Sequence, residues 1–126
     1  MILIDTNILI DLLRGKETAR AFVQKHGKSN LAVCTVVAME LYQGCLNKIE
    51  FAQIKKEMSG FISIELNEDI GNIALQLSQK YALSHKMGVV DTLIAATALV
   101  YELELRTQNV KDFHFIPNIK VSNSLE

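Results

Sequence analysis

The sequence predicts an α/β fold in which a central, mostly parallel sheet of about five strands is covered by helices. Two observations predict it: short, continuous apolar runs recur along the chain, and amphipathic helical periods lie between them. A third sets the scale. The 126 residues, 49% hydrophobic and 21% charged with six glycines and one proline, suit one domain with a sizeable core, taken as residues 1–126. No repeat, low-complexity stretch or Pro/Gly/Ser-rich linker divides it.

The first element is the run Ile2 to Ile4, which ends at Asp5 and leads into a helix beginning near Thr6 or Asn7. A short helix with Ala19, Phe22, Val23 and His26 on one face follows the loop LLRGK. Leu31 to Cys34 reads as a second buried strand, and the segment TVVAMELYQG after it as a helix capped by Thr35 and carrying Glu40. Phe61 to Ile64 is the third run. Ile70, Ile73, Ala74, Leu77 and Tyr81 recur at spacings of three and four, which predicts an amphipathic helix capped by Asn67. From about Asp91 to Tyr101 apolar or small residues lie nearly all round, as in a central helix with close neighbours. A weak run at Leu103 to Leu105 and a last one near Ile119 to Val121 complete the strands.

Composition excludes several classes of protein. A formal net charge of −1 argues against a broad basic surface for nucleic acid, although it leaves room for phosphate held through metal ions. Cys34 and Cys45 lack CxxC spacing and read as packing residues, while His26, His85 and His114 are scattered, so neither a zinc site nor a disulfide framework is expected. The longest nearly apolar stretch, Leu93 to Tyr101, is about half of what a membrane helix needs. MILI is too short, and lacks the basic start, for a signal peptide, so a cytoplasmic location without membrane contact is expected. Neither GxGxxG nor GxxxxGK[ST] occurs, which removes the common nucleotide-binding loops.

Most of the 14 acidic residues fall on polar helix faces, but three do not. Asp5 follows MILI, Glu40 stands inside AVCTVVAMELY, and Asp91 stands inside GVVDTLIAATALV. An isolated buried carboxylate costs several kcal/mol, and no Arg or Lys lies within four residues of Asp5 or Glu40. A divalent cation is the economical compensation, and oxygen ligands without histidine or cysteine favour Mg²⁺ or Mn²⁺, as one or two ions. In an open parallel sheet such a site lies beyond the carboxyl ends of the strands. The turn TQNVKDF adds Thr107, Asn109 and Asp112 after a strand end, as further candidates for the same pocket. Each acid also has a purely local reading: Asp5 and Asp91 as helix caps, Glu40 as a solvent-facing residue, Asn109 and Asp112 as turn formers.

Four segments in order, MILIDTNILID, TVVAMELYQG, VVDTLIAATAL and TQNVKDFHFIPNIKV, give the chain its resemblance to the PIN-domain superfamily. It most closely resembles the VapC-type ribonuclease toxins of type II toxin-antitoxin modules, and the resemblance covers the whole chain. It implies a PIN-like three-layer α/β/α fold and Asp5, Glu40 and Asp91 as metal-binding catalytic acids. Asp112 stands at the more variable fourth position, with Asn109 assisting. It also implies an RNA substrate, such as a loop of transfer or ribosomal RNA, a cognate VapB-type antitoxin and a homodimer.

The expected reaction is hydrolysis of an RNA phosphodiester by metal-activated water, leaving 5′-phosphate and 3′-hydroxyl ends. Thr6 and Asn7 are candidates for orienting Asp5 or the water, and Thr107 for bonding a phosphate or an acid. Arg14 and Lys16, in LLRGK, are candidates for phosphate contact. The alternative is a non-catalytic metal- or RNA-binding module of the same fold. An aspartyl phosphotransferase is less well supported, because the second acid it needs two residues after the first is here Asn7.

Overall fold

The computed structural model describes residues 1–126. Its strands are β1 (Ile2–Ile4), β2 (Leu31–Cys34), β3 (Ile62–Ile64), β4 (Glu104–Arg106) and β5 (Lys120–Ser122). They form one sheet in the order β3-β2-β1-β4-β5, and every pairing is parallel. Ile2 lies opposite both Leu31 and Glu104, Cys34 opposite Ile64, and Arg106 opposite Ser122. All four residues of β2 are buried. Because side chains alternate across a strand, both faces of the sheet must be covered there.

The cover is six helices: α1 (Thr6–Leu13), α2 (Glu17–His26), α3 (Thr35–Gln43), α4 (Lys48–Met58), α5 (Glu68–Tyr81) and α6 (Val89–Val100). One continuous core joins Leu3 and Ile4 of β1, Leu31 to Cys34, Phe22 of α2, Val37 of α3, Ile70 of α5 and Ile94 to Ala96 of α6. The small side chains of α6 let it sit deep: Ala95 and Ala96 are fully buried, and α5 and α3 both pack on it. Its two buried hydroxyls stay satisfied, Thr92 donating to Gly88 O at 2.6 Å and Thr97 to Leu93 O at 2.8 Å. No helix is long and apolar enough to cross a membrane. Cys34 is buried and Cys45 half-buried against the core, both as free thiols.

Two expectations differ from the structure, and one helix was not expected at all. Thr35 does not cap α3: Cys34 holds the cap position, and the Thr35 hydroxyl donates instead to Ile64 O at 3.0 Å, tying the helix start to β3. Asp91 does not begin its helix, which starts at Val89 after Gly88, so Asp91 lies within the first turn. The helix α4 is absent from the sequence reading altogether. It is capped by Asn47, whose side chain accepts from Glu50 N at 2.9 Å. The cap expected for α5 is present, with Asn67 Oδ1 accepting from Ile70 N at 2.9 Å.

Candidate active site at the carboxyl edge of the sheet

Strand order reverses at β1 and β4, where the chain leaves two adjacent parallel strands toward different neighbours. Such a switch point opens a crevice beyond the strands' carboxyl ends. Asp5 and Thr107 are the first residues past those two ends. The pairing continues into both, since Asp5 N donates to Arg106 O at 3.1 Å and Thr107 N to Ser122 O at 3.0 Å. Backbone hydrogen bonds therefore fix the base of the site.

Asp5 is the only buried acid of the chain, 5% exposed. It does cap α1, its Oδ1 accepting from Thr6 N at 2.7 Å. Capping occupies one oxygen only. The other, Oδ2, accepts from the fully buried Thr107 hydroxyl at 2.7 Å. Thr107 Oγ1 in turn accepts from Asn7 Nδ2 at 3.3 Å and from Asn109 N at 3.1 Å, and Asn7 Oδ1 accepts from Gln108 N at 3.2 Å. Asn7 thus reaches Asp5 through Thr107, locking the turn after β4 to the start of α1. Asn109 contributes its backbone, and its carbonyl accepts from Asp112 N at 3.0 Å in the short 3₁₀ turn Val110–Asp112. Thr6 serves a different acid: its hydroxyl donates to Glu40 Oε1 at 2.7 Å, linking α1 to α3. Of the two partners considered for Thr107, a phosphate or an acid, burial leaves only the acid.

Burial raises the carboxyl of Asp5 above its ordinary range, offset by the bonds from Thr107 and Thr6 and reinforced by the charges of Glu40 and Asp112. Asp91 is raised from the ordinary 3.8 to about 6, first by burial and then by the charges of Asp5, Asp112 and Glu40. Those mutual repulsions mean that the four acids gather at one end of the molecule. No basic side chain neutralises them, because the ion pairs of the chain are Lys16–Asp11, Lys28–Glu57 and Arg106–Glu104.

The acids divide between two cavities. Glu40 and Thr6 line one of about 300 Å³ with Ile10, Leu13, Arg14 and Ile54. Asp91 and Asp112 line another, of about 150 Å³, with His85, Lys86, Lys111 and Phe115. Arg14 therefore reaches the pocket of Glu40, whereas Lys16 pairs with Asp11 at 3.6 Å and lines neither cavity. The four residues beside Asp91 and Asp112 escaped the sequence reading, since only folding brings the loop before α6 to the turn after β4. The donor chemistry fits a hard divalent cation, all carboxylate oxygen. The spacing does not preform a ligand shell: no three acidic, histidine or cysteine side chains are grouped to hold one ion.

Fold and site together define a three-layer α/β domain with four acids gathered about the switch point of its sheet. The chain belongs to the PIN domain family, whose model matches residues 2–114. It is 34% identical over 123 residues to Ribonuclease VapC19 of Mycobacterium tuberculosis, covering 95% of this chain and 98% of that protein. Ribonuclease VapC of Rickettsia bellii is 30% identical over 132 residues, with 95% and 93% covered. Among solved structures, a toxin-antitoxin complex from Klebsiella pneumoniae contains a similar chain, 32% identical with a TM-score of 0.77, covering 100% of this chain and 98% of that one. The VapBC2 complex of Rickettsia felis, bound to a DNA fragment from its promoter, contains another at 25% identity and a TM-score of 0.81, with 98% and 99% covered.

Proposed function

We propose that this chain is the ribonuclease toxin of a toxin-antitoxin pair, a divalent-metal-dependent endoribonuclease restrained by a VapB-type antitoxin. The observation that carries this reading is the gathering of Asp5, Glu40, Asp91 and Asp112, without a basic partner, at the switch point of a PIN-domain sheet. The resemblance to named ribonucleases over 95% of the chain supports the substrate class. The solved toxin-antitoxin relatives support the partner, and the homodimer belongs to the same proposal.

In this reading Asp5, Glu40, Asp91 and Asp112 would hold Mg²⁺ or Mn²⁺, which when bound would supply an activated water and offset charge on the phosphoryl oxygens. The chain's own residues do the rest. Thr107, braced by Asn7 and Asn109, keeps Asp5 fixed and its second oxygen aimed. Thr6 holds Glu40 across the crevice. Burial and mutual repulsion keep Asp91 ready to give up its charge to a proton in the absence of a cation, which keeps the empty site tolerable. Water oxygen bonds to phosphorus as the P–O3′ bond breaks; the attacking water gives up one proton to solvent and the departing 3′ oxygen takes one from solvent, so the 5′-phosphate and 3′-hydroxyl ends balance.

The test is cleavage of end-labelled total small RNA by the native protein and by Asp5→Asn, in Mg²⁺, Mn²⁺ or EDTA, with end-group analysis. Discrete products with 5′-phosphate ends are expected only with metal. The variant should lose more than the about 10- to 100-fold typical of losing a residue behind the metal ligands. Cyclic-phosphate ends, or equal cleavage in EDTA, would overturn the reading. One observation favours a second reading, a metal- or RNA-binding module without turnover: no three acids are already grouped. RNA binding in Mn²⁺ with no cleavage supports it.

A further inference from the structure

The cavity that holds Asp91 and Asp112 is also lined by His85 and Phe115. The His85 ring stacks on Phe115 with centroids 3.9 Å apart and planes 17° from parallel, and Tyr81 meets both rings edge-on at 5.4 and 4.9 Å. Tyr81 is buried, Phe115 half-buried and His85 exposed, so the stack rises from the core to the surface. Ser84 Oγ lies 2.8 Å from His85 Nδ1 and, with the bond from His85 N to Tyr81 O at 3.0 Å, fixes the ring at its edge rather than its face. One face of the imidazole lies on Phe115; no aromatic or cationic side chain takes the other.

Two cations flank this platform. Lys86 and Lys111 line the same cavity, and neither pairs with an acid, although Asp91 and Asp112 are its other lining residues of charge. Lys86 holds a left-handed backbone, φ 51°, uncommon for a side-chain-bearing residue and typical of positions that the surrounding structure dictates. An exposed ring stacked on Phe115, sharing a cavity with two unpaired lysines, has the makings of a single-stranded nucleic acid subsite. Aromatic faces take bases whatever their identity, and lysines take the phosphates on either side.

We infer that the His85–Phe115 stack is the platform for one RNA base next to the bond to be cut, with Lys86 and Lys111 gripping the flanking phosphates. The inference rests on the ribonuclease reading and gives it a substrate-positioning surface. Single-stranded RNA, or a loop with an unpaired base, is therefore the substrate form that fits. The lysines also resolve a difficulty of charge: a strand drawn toward four acids needs local positive charge that the chain's overall −1 does not provide.

The probe is an oligoadenylate decamer carrying one 2-aminopurine, whose fluorescence falls when the base stacks, added to Asp5→Asn protein so that it is bound without being cut. Quenching on binding is expected. His85→Ala in that background should abolish the quenching and weaken binding roughly 5- to 150-fold, while His85→Phe, which keeps a flat face, restores both. Lys86→Gln and Lys111→Gln should each lower the slope of log affinity against log salt by about 0.7. Unfolding midpoints within a degree or two of the parent would show that each variant is folded. Binding without quenching, or quenching untouched by His85→Ala, overturns the inference while native cleavage of RNA stands. Unaltered quenching, together with weaker inhibition by antitoxin of a cleavage-competent His85→Ala protein that retains Asp5, assigns the platform to a protein partner instead. If the native protein cleaves no RNA and the decamer does not bind, the ribonuclease reading itself falls, and this inference with it.

Discussion

Asp91 is the residue at which the electrostatic stress of the site is easiest to read. Its carboxyl titrates at about 6 in the fold against an ordinary 3.8. A raised acid favours the folded state below the unfolded value and loses that contribution as pH climbs through the folded value. Without metal, then, the protein should lose stability between about pH 4 and 7. Asp91→Asn should be the more stable protein at pH 8 by roughly 1 kcal/mol, a value discounted because the side chain is partly open to solvent, and should show no gain at pH 4. Paired thermal melts in EDTA at the two pH values check it. Thr107 offers the opposite case, a buried hydroxyl that donates to Asp5 and accepts twice. Thr107→Val leaves those partners short and should cost about 1–3 kcal/mol, measured by urea unfolding. Asp5, Glu40 and Asp91 were legible as acids out of place because each interrupts an apolar run. The bond from Thr107 to Asp5 was not, because it depends on β4 lying beside β1, which no local pattern reports.

At the scale of elements, caps and edges decide what can be read. Asn67 caps α5 through Ile70 N, and Asn67→Ala should cost about 1 kcal/mol, seen as a lower melting temperature with activity unchanged. Helix α5 was legible because Ile70, Ala74, Leu77 and Tyr81 are all buried on one face. Helix α4 was not, since Ile54 is its only buried residue and its apolar period is faint. Its start nevertheless carries a signal: Asn47 followed three residues later by Glu50, whose side chain turns back to accept from Leu46 N at 2.7 Å. Strands show the same contrast. The bounds of β1 and β2 agree with the apolar runs, whereas β3, β4 and β5 each begin one residue later than read. β3 and β5 are edge strands of three residues with mixed exposure, where hydrophobicity no longer marks where pairing begins.

For the whole molecule, the parallel sheet explains why distant acids share one end. β1 and β4 point the same way, so Asp5 and the turn bearing Asp112 must emerge together, while Glu40 of α3 and Asp91 of α6 lie close enough for their charges to act on them. The fold class was legible from alternation alone; the pocket in which Asp91 and Asp112 meet His85, Phe115 and two lysines was not, for it joins the loop before α6 and the first turn of that helix to the segment after β4. If the four acids form a cation site, the protein must bind a divalent ion through them. Calorimetric titration of Mn²⁺ into the native protein, Asp5→Asn and Asp91→Asn, at pH 6 and pH 8, tests it most directly. Saturable binding to the native protein is predicted, weakened about tenfold or more in each variant, with more protons released per ion at pH 6, where Asp91 is still partly protonated, than at pH 8. Binding of equal strength in all three proteins, or none in the native one, would contradict it.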